Sequence, residues 1–172
     1  MKGEVLEMAK AKNAVPAGFH TVTPQLVMDD AAKAIDWYKK ALGAEEKMRG
    51  AGPDGKIMHA EIRIGDSLIM LNDEMGGGRS AKKIGGSPAA MWVYVDDADA
   101  LFNRAVAAGA QVVEGGMGPM QDQFWGDRCG TVIDPEGYSW TIATRKEDLT
   151  PQEIQQRQDE FFKQFAPQPT RG

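Results

Sequence analysis

The chain has 172 residues, 42% of them hydrophobic and 26% charged, with a formal net charge of -5 at pH 7. That charge argues against a nucleic-acid partner, since a phosphate backbone requires a concentrated basic patch and none appears in the sequence. The single Cys129 excludes an internal disulfide, and neither a signal-peptide core nor a run of roughly 18 apolar residues occurs, so a cytoplasmic protein with no membrane partner is expected.

Residues 1–18, broken by Pro16 and Gly18, read as a flexible N-terminal arm. Residues 21–28 read as a strand, with Thr23, Gln25 and Val27 on one face and Val22, Leu26 and Met28 on the other. Pro24 offers no amide donor, which suits an edge strand. Asp29 or Asp30 can cap a helix over 31–42, whose stripe Ala34, Ile35, Tyr38 and Leu42 has helical spacing and which Gly43 stops. Strands follow over 45–49, 56–64 and 67–71, separated by turn formers at 50–55 and 65–66. The first module thus spans 19–75 in the order strand, helix, strand, strand, strand.

Residues 76–88 carry five glycines with little apolar content and read as a linker. Gly76, Gly77 and Gly78 are not followed by the Lys-Ser/Thr of a phosphate loop. The second module, 89–147, repeats the order: a strand over 89–95, a helix over 98–108 stopped by Gly109, a strand over 111–114, strand pieces at 123–125 and 130–133, and a closing strand over 138–144. In the C-terminal extension, 148–172, Thr150, Pro151 and Glu153 form a capping box for a helix reaching Phe165, with Ile154, Phe161, Phe162 and Phe165 on an uneven apolar face.

The two modules echo one another in detail. Val27-Met28-Asp29-Asp30-Ala31 opens the first helix and Tyr94-Val95-Asp96-Asp97-Ala98 the second. The expected fold is α+β: two βαβββ modules whose paired, curved, mixed sheets enclose a cleft, plus the C-terminal helix, one structural domain overall. The segments AAKAIDWYKKALGAEE (31–46), DGKIMHAEIRIGDSLIMLNDE (54–74), VYVDDADALFNRAVAAGA (93–110) and QFWGDRCGTVIDPEGYSWTIATRKEDLTPQE (123–153) resemble the vicinal oxygen chelate superfamily, and within it the PhnB-like glyoxalase/bleomycin-resistance branch. The resemblance covers about residues 21–153 and implies a homodimer, with the 76–86 stretch long enough to permit domain swapping.

Metal-dependent members of that superfamily place a ligand on each of four equivalent strands. Carried over, those positions fall near Thr23, Met70, Ala90 and Thr141, and a slip of one or two residues substitutes Gln25, Asn72, Ala89 or Trp140. None makes a convincing set for a divalent cation, which wants imidazoles or carboxylates. No cofactor is therefore expected, and no metal site is assigned. His59 and Glu61 share a strand face with Arg63, so His59 can be half of a ligand pair, a general base, or simply part of a hydrogen-bonded polar face. That last, plainer reading is favoured.

Other candidates concentrate in 122–128, where Trp125 can stack on a flat ligand and Asp127 and Arg128 can orient one, or pair with each other to hold the loop. Trp92 and Trp140 lie on matching strands; core packing is the plainer reading, with one of them able to line the cleft. Cys129 beside Arg128 invites a lowered thiol pKa, yet no histidine is placed to assist it. The expected ligand-binding set is Gln25, His59, Glu61, Trp92, Trp125, Asp127 and Arg128, with His59 and Glu61 the only catalytic candidates. The expected function is metal-independent binding of a drug or an aromatic or amphipathic metabolite in the cleft. The alternatives are a metal-dependent lyase or dioxygenase with a non-standard site, and an interaction module acting through the C-terminal helix.

Overall fold

The computed structural model describes residues 10–164. Two mixed β-sheets are each covered on one face by a helix, as the alternation and the helical stripes require. The first sheet has the order β1-β4-β3-β2, with β1 (Gln25–Met28) parallel to β4 (Ser67–Asp73) and antiparallel neighbours β3 (Ile57–Ile64) and β2 (Glu45–Ala51). The second has the order β5-β9-β8-β6: β5 (Ala90–Tyr94) is parallel to β9 (Ser139–Arg145), and β8 (Asp127–Ile133) is antiparallel to β9, β6 (Gln111–Val112) and the short β7 (Gln121–Asp122). β1 and β5 are thus the equivalent edges of the two sheets.

Helix α1 (Ala31–Leu42) begins where the Asp30 side chain accepts the Lys33 amide at 3.0 Å and ends at Gly43, whose φ of 70° a residue without Cβ adopts freely. Its face Ala34, Ile35, Tyr38 and Leu42 is buried on the first sheet, where each large apolar side chain contributes roughly 1.5–3 kcal/mol. Helix α3 (Ala98–Ala107), capped by Asp97, does the same on the second sheet through Leu101, Phe102 and Ala105. The helices also hold each other: the Trp37 indole donates to the Ala108 carbonyl at 2.9 Å and Arg104 Nε to the Ala41 carbonyl at 2.9 Å.

A buried polar hub ties the modules together. Asp134, in the β8–β9 turn, accepts from the Tyr38 hydroxyl at 2.6 Å, the Trp140 indole at 2.8 Å and the amides of Glu136 and Tyr138, both at 2.9 Å. Glu136 accepts the Asp29 amide at 2.8 Å, and the Tyr138 hydroxyl accepts from Val27 N–H at 3.0 Å and donates to Val27 C=O at 2.9 Å. Gly137, at φ 92°, lets this turn approach α2 (Ala81–Ile84), where an added Cβ would stand 3.2 Å from the Lys82 nitrogen.

Several details depart from the sequence reading, and the first is that the strand expected over 21–28 begins only at Gln25, leaving Thr23 outside it. The stretch 76–88 contains helix α2, nucleated because Ser80 caps the Lys83 amide while Glu74 accepts from Ser80 N–H and Oγ. The strand expected at 111–114 shortens to β6, and β7 starts at Gln121 because the intervening glycines and Pro119 interrupt the ladder. The pieces expected at 123–125 and 130–133 instead form one strand from Asp127, after a turn in which the Gly126 amide donates to the Gln123 carbonyl. Helix α4 (Pro151–Lys163) has the capping box, and no side chain on it is buried; Arg157 pairs with Glu147 at 2.7 Å and Phe161 packs on Phe124. Phe165 lies outside the described residues. Among those residues no helix is long and apolar enough to cross a membrane.

Candidate functional site

On the first sheet, the face away from α1 carries the polar candidates. His59 and Glu61 lie two apart on β3 with Nε2 and Oε1 3.1 Å apart, so strand alternation does bring them together. Glu61 registers with Met70 on β4, and Met70 with Gln25 on β1, which makes one row across the face. Gln25 Nε2 donates to Asn72 Oδ1 at 2.8 Å. Around this row the charges are paired: Arg63 donates to Glu45 at 2.7 Å and Arg49 Nε to Glu46 at 2.7 Å. The hydrogen bond from Lys47, and then Arg63, draws the Glu45 carboxyl down to about 2. The face is a salt-bridged polar surface with a histidine–glutamate pair at its centre.

The strand registers also fix which positions correspond in the two modules. Met70 stands beside Gln25, and Thr141 stands beside Trp92, so the matched strand positions are Gln25 and Trp92 rather than Thr23 and Ala90. The four together offer an amide already bonded to Asn72, a thioether, an indole and a hydroxyl bonded to Thr131 Oγ1 at 3.0 Å. That donor set does not fit a divalent cation of the zinc or nickel kind. Nor do the described residues bring together three His, Cys, Asp or Glu side chains able to hold one.

The second sheet presents a different open face. Trp92, which core packing alone would bury, is 43% exposed, and Tyr94 is 58% exposed beside it, with ring centroids 6.2 Å apart. Trp140 is the one that enters the core. Asp127, only 2% exposed, accepts from the Tyr94 hydroxyl at 2.8 Å, the Trp125 indole at 3.0 Å and Arg145 at 3.3 Å. Desolvation, and then the Asp127 carboxylate, holds the Tyr94 phenol above its ordinary pKa. Asp127 is therefore an anchor beneath the aromatics, and Trp125 is tied to it and packed edge-on against Phe124.

Arg128 is placed elsewhere. It turns toward α3 and forms a fork with Asp99 at 2.6 and 2.8 Å, with Asp122 at 3.2 Å; the same hydrogen bonds raise its pKa. Clustering in sequence put Asp127 and Arg128 together, but neighbours on a strand face opposite ways. Burial likewise pushes the Cys129 thiol up rather than down.

Where the modules meet, a groove of about 710 Å³ runs along the free edge of β5. Its walls are Ile64, Leu68 and Ile69 from the first module, and Trp92, Val93 and Trp140 from the second. The volume falls in the range of small-molecule sites, and a mostly apolar wall with a few polar groups is their usual chemistry. Of the expected ligand-binding residues only Trp92 lines it. Tyr94 and Ser67, which the alternation alone did not single out, also line it; the repeat itself carried that signal.

A family model described as "Glyoxalase/Bleomycin resistance protein/Dioxygenase superfamily" matches residues 18–142. The uncharacterized protein Mb0911c of Mycobacterium bovis is 45% identical over 139 residues, covering 78% of this chain and 89% of its own length. Among solved structures, TioX from Micromonospora sp. ML1 is similar at 28% identity with a TM-score of 0.57, over 76% of this chain and all of its own. A bleomycin-binding protein solved in complex with bleomycin shares the fold at 19% identity and a TM-score of 0.52, over 75% of this chain and 99% of its own. With the repeated module, the register and the family model in agreement, this chain belongs to the glyoxalase/bleomycin-resistance/dioxygenase superfamily.

Proposed function

We propose that this protein binds a small aromatic or amphipathic molecule, without a metal ion, in the groove between its two modules. The observation that carries the reading is the groove itself: 710 Å³, built from both modules, with the half-exposed Trp92 on its wall. The mismatch between Gln25, Met70, Trp92 and Thr141 and any divalent cation supports metal independence. Sharing a fold with a protein solved with bleomycin bound is consistent with ligand capture but names no ligand here. The homodimer implied by the family resemblance belongs to the same reading, and sedimentation equilibrium tests it.

The reading is tested by calorimetric titration of the full chain with a panel of planar aromatic compounds, with and without EDTA. It expects binding that chelation leaves unchanged. Binding that appears only after Ni, Zn, Mn or Fe(II) is added, and is lost on His59→Ala, would replace it with the metal-dependent enzyme.

A further inference from the structure

The two junctions between the modules are related by the internal repeat, yet only one is filled. Val27 and Tyr94 each stand three residues before a helix cap, Asp30 and Asp97, and so correspond. Val27 pairs with Asn72 and Tyr94 with Ala143; five residues back along β4 and β9, this matches Ser67 with Tyr138. An independent contact gives the same alignment: Asp73 accepts the Ala31 amide and its counterpart Thr144 accepts the Ala98 amide.

At the first junction the Tyr138 phenol lies against the free edge of β1, and its hydroxyl engages both outward groups of Val27. At the second junction the same place falls to Ser67, whose short side chain donates to its neighbour Asp66 at 2.9 Å. Tyr94 takes the part of Val27. Because the Val95 amide donates inward to Ala143, alternation points the Tyr94 N–H and C=O outward, toward the free edge. Among the described residues neither group has a hydrogen-bond partner. Ser67 and Tyr94 both line the 710 Å³ groove, which occupies the space a second phenol would fill.

We infer that the groove is specific for an aryl hydroxyl. Its oxygen accepts a hydrogen bond from the Tyr94 amide and its O–H donates one to the Tyr94 carbonyl, as Tyr138 does at Val27. The ring and an apolar extension lie on Leu68, Ile69 and Trp92, since the groove is larger than one ring. A neutral hydroxyl suits the site because it is donor and acceptor at once; an ether can only accept and a carboxylate repels the carbonyl. This inference rests on the binding function proposed above and adds the chemistry of the ligand.

The test compares 2-naphthol with 2-methoxynaphthalene by calorimetry in EDTA, with the Tyr94 amide followed by NMR. The expected result is at least tenfold tighter binding of the naphthol, the scale of one or two lost hydrogen bonds, with the Tyr94 amide resonance moving as the naphthol binds. Ser67→Tyr supplies the missing phenol and abolishes naphthol binding. The wild-type comparison stands even if that variant fails to fold. Equal affinities, or an unmoved Tyr94 amide, overturn the inference. If other planar aromatics bind and naphthol does not, the specificity is wrong and the binding function survives; if the whole panel fails, both fall.

Discussion

The first module and the second use the same backbone to present opposite surfaces. In the first, β2 runs for seven residues beside β3, with register shifts at Glu46/Met48 and Gly50/Ala51, and the open face is a lattice of ion pairs around His59 and Glu61. In the second, the equivalent position is divided between β6 and β7, two residues each, and the open face is aromatic and hydroxylic. The helix caps, the parallel edge pairings and the helix stops are kept in both halves. The comparison separates what the repeat must keep to fold, namely caps and register, from what it is free to vary. The junctions show the consequence: Tyr138 closes one, and Ser67 leaves the other open.

That asymmetry can be broken at graded cost. Asp134 has no acidic counterpart in the first module, where the hairpin pairing puts Ile64 in its place. Asp134→Ala strips partners from Tyr38, Trp140 and two buried amides, and should destabilise the protein by about 3 kcal/mol or more in urea unfolding. A loss below about 1 kcal/mol would remove the hub from the account.

The corresponding residues Asp73 and Thr144 sharpen the comparison. Asp73 accepts two amides, Ala31 at 2.6 Å and Ile57 at 2.7 Å, whereas Thr144 accepts from Ala98 and donates to Val95 C=O. Asp73→Ala is expected to cost about 2–3 kcal/mol and Thr144→Val about 1 kcal/mol. The reverse order in denaturant midpoints would mean that the two helix starts are not held as described. Tyr138→Phe should likewise cost about 1 kcal/mol while leaving ligand binding at the other junction unaltered.

The pH dependence should also differ between the halves. The hydrogen bond from Lys39, then that from Arg49, lowers the Glu46 pKa, so its contribution to stability is present above the ordinary carboxylate range and lost as pH falls through the lowered folded value. Burial raises the Glu136 pKa, so its contribution is complete below the ordinary value and lost as pH rises through the raised one. Urea midpoints against pH should therefore flatten on the acid side in Glu46→Gln and above the carboxylate range in Glu136→Gln. A Glu136→Gln profile parallel to wild type would contradict the second assignment.

Much of the fold could be read in advance because its signals are local. Asp30 and Asp97 cap, Gly43 and Gly109 stop, and the apolar spacing between them is helical. The interruption between β6 and β7 was harder, since Gly115–Gly116 and Pro119 mark a loop without fixing where pairing resumes. The site was less legible for a physical reason: alternation tells which residues share a face, but not whether anything covers that face. His59 and Glu61 were paired correctly by that rule. Which of Trp92 and Trp140 reaches the cleft stays open to that rule, because exposure depends on the distant first module, and Arg128 pairs not with Asp127 but with Asp99, 29 residues away.

The most direct test of the central claim is an amide chemical-shift map of the metal-stripped chain titrated with the planar aromatic that binds it most tightly. The account predicts shifts gathered on Leu68, Ile69 and residues 92–95, unchanged by EDTA. Shifts centred instead on His59 and Glu61, and seen only when a divalent metal is present, would contradict it.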